Sequence, residues 1–172
     1  MRVKSLLAAS GLAVTGLLAP AAMGAGFQAS AACPEVGQVS YSFSSVSKAW
    51  LATSLRSDYL TGPGSITFSR NTTSSVNASI TGTTSAEAGV IFAKASVSIG
   101  VTVGASYSRS DTWSYTANVP AGQTKRLQQY KEARKMTIKK TQIVAPCNVK
   151  TVWTKTATAP VKSNTYKWQL SS

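Results

Sequence analysis

The chain has 172 residues, enough for one domain, with 18 Lys and Arg against five Asp and Glu and a formal charge of +13. It contains no histidine, which excludes Ser-His-Asp, Cys-His and His-metal arrangements. Its carboxylates, Glu35, Asp58, Glu87, Asp111 and Glu132, are scattered, and no phosphate loop, dinucleotide fingerprint or calcium loop occurs, so enzyme chemistry is the reading the sequence supports least. No metal and no cofactor is expected.

Met1-Arg2-Val3-Lys4 is a short basic start, and Ser5 to Met23 is an apolar run rich in Ala, Leu and Gly. Ala29-Ser30-Ala31 is an A-x-A site, so residues 1–31 are expected to be a secretory signal peptide cut after Ala31. Ala22-Met23-Gly24 is a weaker alternative cut. Cleavage removes Arg2 and Lys4 and no acid, which lowers the charge from +13 to +11. Residues 32–172 then form a single β-rich, secreted, extracellular domain. Its two cysteines, Cys33 and Cys147, are expected to pair. Such a bridge closes a loop of about 115 residues, worth up to ~5 kcal/mol in the chain-entropy view.

Val39, Tyr41 and Phe43 alternate with serines, which predicts a first strand. From Val46 to Leu60 the apolar residues are spaced loosely like a helix, and two short strands fit equally well. Gly62-Pro63-Gly64 is a turn, and Ile66 and Phe68 open a strand flanked by Ser65, Thr67 and Ser69.

Between Ser74 and Ser108 the pattern has a period of two. Val76, Ala78 and Ile80 lead one apolar parity, and Val97, Ile99, Val101 and Val103 lead another in the opposite phase. Ser/Thr residues, with Glu87, Lys94, Ser98 and Thr102, occupy the other face. This predicts a hairpin over 76–105 that pairs Ala88 with Ala93, Ile80 with Val101 and Ala78 with Val103, and sets Glu87 opposite Lys94. Its tip would be the apolar Gly89-Val90-Ile91-Phe92-Ala93, unusual for a turn in water. One setting is a β-sandwich with the hydroxyl face in solvent. The other is a membrane hairpin, for which strands of about 9–11 residues suffice.

Trp113 and Tyr115 continue as a strand up to Val119-Pro120-Ala121-Gly122. Gln123 to Arg134 reads as an extended, edge-like segment, and Thr137–Val144, Val149–Thr156 and Thr165–Leu170 read as further strands. The fold class is all-β: an elongated antiparallel twisted sheet or β-sandwich carrying a long amphipathic hairpin.

Basic residues crowd beyond Lys125. Lys125, Arg126, Lys131, Arg134, Lys135, Lys139 and Lys140 form the densest stretch. A solvated face, an anionic membrane or cell-surface polymer, and nucleic acid are the competing readings, and no recognised nucleic-acid motif supports the last.

The Ser/Thr-alternating strand Ile66–Thr84, the apolar-tipped amphipathic segment and the returning strand Ser98–Thr116 resemble the membrane module of aerolysin-type β-pore-forming toxins, including their epsilon-toxin-like branch. The resemblance covers roughly Gly62 to Val144. It implies an aerolysin-like fold, a homo-oligomer on the membrane, and an insertion loop at about Val76–Ala105 that is tucked against a long sheet before release. Val76, Ala78, Ile80, Val97, Ile99, Val101 and Val103 would face lipid, and Glu87, Lys94, Ser98 and Thr102 the lumen. The short chain and the dense basic half depart from that family's pattern.

Two functional expectations follow. The first is a secreted pore-forming protein that oligomerises on anionic membranes. The second is a non-enzymatic, secreted β-sandwich binding or adaptor subunit of a toxin or cell-wall-associated assembly, with the apolar hairpin face as plain core.

Overall fold

The computed structural model describes residues 33–172, which pack as one unit. The signal peptide expected over 1–31 lies outside the described residues. Among the described residues the architecture is all-β and antiparallel, with one short helix.

Strand β6 (Thr124–Val144) is the spine. It pairs with β1 (Val39–Arg56) on one side, and with β7 (Asn148–Pro160) and β8 (Tyr166–Ser171) on the other. Short β2 (Leu60–Thr61) pairs with its beginning, and β4 (Ser79–Ile80) pairs with β7. A separate two-stranded ribbon joins β3 (Gly64–Asn77) to β5 (Ser106–Val119), each residue matched from Gly64↔Val119 to Asn77↔Ser106.

Two apolar clusters bind these parts together. Ile66, Phe68 and Val119 of the ribbon meet Leu55 and Leu127 of the large sheet, with Trp113 and Trp168 against them. At the other end of β6, helix α1 (Ser85–Ile99) lays Ala88, Ile91, Phe92 and Ala95 on Met136, Ile138, Ala157 and Ala159. A polar seam runs between the clusters. Buried Gln129 accepts hydrogen bonds at Oε1 from Ser74 (2.6 Å) and Thr53 (3.0 Å), which ties β6 to β3 and β1.

A disulfide links Cys33 to Cys147, as expected, with Cα atoms 5.6 Å apart. It fastens the approach to β1 onto the β6–β7 turn. The stretch from Val46 to Arg56 is neither helical nor two strands. It continues β1, with an irregularity between Ser44 and Ser47 where Ser45 has φ +52°. Residues 124–134 are extended as expected, but they are central rather than edge-like.

The largest correction concerns the 76–105 hairpin. Strands 76–88 and 93–105 do not pair in this fold, because Ser85–Ile99 is helical. Thr84 is an N-cap whose hydroxyl accepts from the Glu87 amide at 3.2 Å, and Gly100 closes the helix in the left-handed region at φ +69°. The segment carries two periods at once. The strand period of two coexists with a helical stripe, 88, 91, 92 and 95, and burial of that stripe against the sheet decides the outcome. Each fully buried Ile or Phe contributes about 1.5–3 kcal/mol.

Candidate functional site: the segment between two paired strands

The β3–β5 ladder does not end abruptly. Beyond Asn77↔Ser106 the amide of Ala78 donates to the carbonyl of Ala105 at 2.7 Å, and there the two chains part. The expected register set Ala78 against Val103. The observed one is displaced by two residues, a full pleat, so that the same side chains share a face.

On the ribbon the inward parity holds buried Ile66, Phe68, Ser74 and Val76 on β3, and partly buried Tyr107, Arg109, Asp111 and Trp113 on β5. The outward parity is an exposed hydroxyl face. Thr67 and Thr116 meet across it at 2.9 Å, and Thr73 and Ser110 at 2.7 Å.

The parted segment, 78–105, is held to the large sheet at several points. Ser79 and Ile80 pair with Thr158 and Ala157. Thr102 O accepts from the Lys162 amide at 2.8 Å, and the Gly104 amide donates to Pro160 O at 3.1 Å. The ammonium of Lys155 donates to Gly82 O at 2.5 Å. Ser96 Oγ donates to Phe92 O at 2.8 Å and accepts from the Val103 amide at 3.0 Å, which folds the chain after α1 back along the helix.

The polar fastening is Glu87. Its Oε1 accepts from the Lys140 ammonium at 2.6 Å and from the Tyr41 hydroxyl at 3.1 Å. The bond from Lys140 holds the Glu87 carboxyl below its ordinary range, with partial burial opposing and Tyr41 adding to the effect. The same bond raises Lys140. Tyr41 is raised too, first by burial and then by its bond to Glu87.

The residues expected on the lipid face, at the tip and in the lumen of a membrane hairpin are therefore distributed as follows. Val76 and Val103 are buried, Ala78, Ile80, Ile99 and Val101 are half-buried, and Val97 is 87% exposed. Of the expected tip, Ile91 and Phe92 are in the core, whereas Gly89, Val90 and Ala93 lie on the exposed side of α1. Glu87 does not meet Lys94 but takes Lys140 instead, and the Lys94 ammonium lies 5.3 Å from the Tyr41 ring centre. Ser98 and Thr102 are exposed.

The basic stretch does not form one surface. Lys131 is fully buried, with its ammonium donating to Ser163 O at 2.6 Å and Thr165 O at 3.3 Å. Arg134 pairs with Glu132 at 2.8 Å, and Lys140 faces the helix. Lys125 donates to the Ser172 hydroxyl, and Arg126 covers the Tyr59 ring at 4.9 Å. Lys135 and Lys139 are the members left exposed on the outer face of β6.

The sequence reading missed the capping pair Thr84 and Glu87, the stop at Gly100, and the part of Tyr41. The signal for the first two was Thr84-Ser85-Ala86-Glu87 ahead of an apolar stripe. No protein-family model, curated protein or solved structure matches the chain.

Proposed function

We propose that this is a secreted β-pore-forming protein of the aerolysin type, in which the segment 78–105 leaves the large sheet and extends the β3–β5 ribbon into a membrane-spanning hairpin. The observation that carries this reading is the register of the ribbon. Continued unchanged past Ala78–Ala105, it sets Ile80 against Val103, Gly82 against Val101, Thr84 against Ile99, Ala86 against Val97 and Ala88 against Ala95. Every one of those pairs falls on the face that Val76 and Tyr107 already occupy, and the hydroxyl face runs on from Ser75 and Ser108 to Glu87 and Ser96.

The new strands, 78–88 and 95–105, are about eleven residues each, the length needed to cross the hydrocarbon core. The tip would be residues 89–94, with Ile91 and Phe92 leading. Release exposes the core stripe of α1, and entry of that stripe into lipid offsets the loss. The excess of basic residues supports an anionic membrane as the target.

Release of a trapped dye from phosphatidylglycerol vesicles tests the proposal. Leakage that weakens with rising salt, accompanied by rings in electron micrographs, is the expected result. Monomers that bind no vesicles and release no dye would sink it. The adaptor reading would then stand, favoured by the complete burial of Ile91 and Ala95, which makes α1 ordinary core.

A further inference from the structure

Around Glu87 the positive charge exceeds the negative. Lys140 bonds the carboxylate, Lys155 is close enough to lower its pKa, and Lys94 reaches over Tyr41 from the next turns of α1. No second carboxylate pairs with any of these three ammoniums among the described residues. Two aromatic rings wall the same place. Tyr41 and Trp153 lie 6.1 Å apart, with Lys140 5.8 Å and 5.9 Å from their centres and Lys155 4.8 Å from that of Trp153. The strand register explains the convergence, since Lys140 is paired with Tyr41 on one side and Trp153 on the other.

The place is open to solvent. The Lys140 and Glu87 side chains keep 22% and 24% of their exposure. A carboxylate supplies one negative charge and two oxygens to a group of cations that could satisfy more. A phosphate monoester, or inorganic phosphate, offers at least three terminal oxygens and close to two charges, so it competes for the same donors, whereas a diester only matches the carboxylate.

We propose that Tyr41, Lys94, Lys140, Trp153 and Lys155 form a binding site for a phosphate group, held in this fold by the carboxylate of Glu87, so that an incoming phosphate displaces Glu87 and frees the first turn of α1. The lysines from β6 and β7 are also those that grip the beginning of the parted segment, at Glu87 and at Gly82 O. Binding and unfastening are thus the same event. The inference deepens the pore-forming proposal and rests on it for its consequence, since it names a monoester lipid headgroup as the natural source of the phosphate and the trigger of release.

The site is tested in solution, without any leakage measurement. Trp153 fluorescence, isolated by subtracting a Trp153→Phe control, is followed during titration with inorganic phosphate at constant ionic strength. It is then followed with vesicles of phosphatidic acid, a monoester lipid, and of phosphatidylglycerol, a diester. Saturable phosphate binding is expected, tightened roughly three- to tenfold in Glu87→Gln, where the competing charge is gone. Lys140→Gln should weaken it by a similar factor. Lys94→Gln, whose ammonium bonds no carboxylate, should weaken it with the helical circular dichroism unchanged.

Binding of free phosphate and of phosphatidic acid, with phosphatidylglycerol weaker, supports the monoester headgroup as the source, and phosphatidylglycerol bound as tightly overturns it. Binding of free phosphate alone supports the site but overturns the lipid source. No saturable response, or a Glu87→Gln protein that binds no tighter than wild type, overturns the site itself. A protein that binds phosphate as expected yet never permeabilises vesicles leaves the site standing and removes the pore-forming proposal alone.

Discussion

The ammonium of Lys131 lies 4.7 Å from the centre of the Tyr107 ring, at the foot of β5 where the ribbon meets the parted segment. Tyr166 receives the same cation at 4.8 Å, and Tyr107 donates to Asn164 Oδ1 at 3.1 Å. A lysine of β6 is thereby sandwiched between β5 and β8 and bonded to the carbonyls of the connection before β8. Burial pushes its pKa down, against the charge of Glu132, and the surrounding carbonyls and rings replace the water it has lost.

Lys131→Met should therefore destabilise the protein although it keeps a similar volume. The loss expected from the orphaned carbonyls and the cation–π contacts is about 1–3 kcal/mol. Urea unfolding of Lys131→Met, Tyr107→Leu and the double variant would measure it. A double variant that costs the full sum of the two singles would show that the contact contributes nothing.

The Glu87 fastening makes a prediction about pH. Glu87 is faced by Tyr41 from β1, Lys140 from β6 and Lys155 from β7, with Lys94 on its own helix near Tyr41. Its folded pKa lies below its unfolded value near 4.5, so the stabilisation is present above that pH and is lost as pH falls through the lowered value. Glu132, held down first by its bond from Arg134 and further by the charge of Lys48, acts in the same direction. Wild type should lose thermal stability between pH 5 and 3, and Glu87→Gln should lose less. The partly exposed pair limits the difference to less than about 4 °C. Superimposable pH profiles for the two proteins would show that Glu87 fastens nothing.

The Cys33–Cys147 bridge joins positions 114 apart in sequence. Replacing both cysteines by serine should cost about 2–5 kcal/mol. Intact mass should rise by two hydrogens on reduction of the native protein. Two thiols that alkylate without reductant would contradict the bridge.

The strands were legible because most of them bury one face only. Alternation in Val39–Ser44, Ile66–Val76 and Tyr166–Leu170 registers directly as period two. The central place of β6 was not, since Gln128, Gln129 and Lys131 are buried polar residues whose partners lie far away in sequence. Nothing local announces that Gln129 will meet Ser74 and Thr53, or that Lys131 will lie between two tyrosines. The segment 85–99 was misjudged for another reason. Its sequence satisfies both a strand and a helix pattern, and only the sheet surface it packs against selects the helix. The candidate site was legible as a pair of faces, whereas the fastening at Tyr41 and Lys140 depends on a register no pattern reveals.

The sharpest prediction concerns two neighbours on the exposed side of α1. Val97 is 87% exposed and Ser98 is exposed beside it, so lysine at either position should leave this fold and its stability nearly unchanged. In the proposed hairpin they part company. Val97 would lie opposite Ala86 on the lipid face, and Ser98 opposite Ser85 on the aqueous face. A lysine on the lipid face costs about 2–4 kcal/mol at the bilayer midplane, and every subunit of a ring repeats the penalty. Val97→Lys should accordingly abolish dye release, while Ser98→Lys should still form channels, with selectivity shifted toward anions by the added ring of charge. Single-channel recording on phosphatidylglycerol membranes, after thermal melts confirm that both variants are folded, decides the matter. Because the two residues are adjacent and both exposed in this fold, a plain core helix predicts the same behaviour for both. Equal activity in the two variants would exclude the extended register, and with it the hairpin.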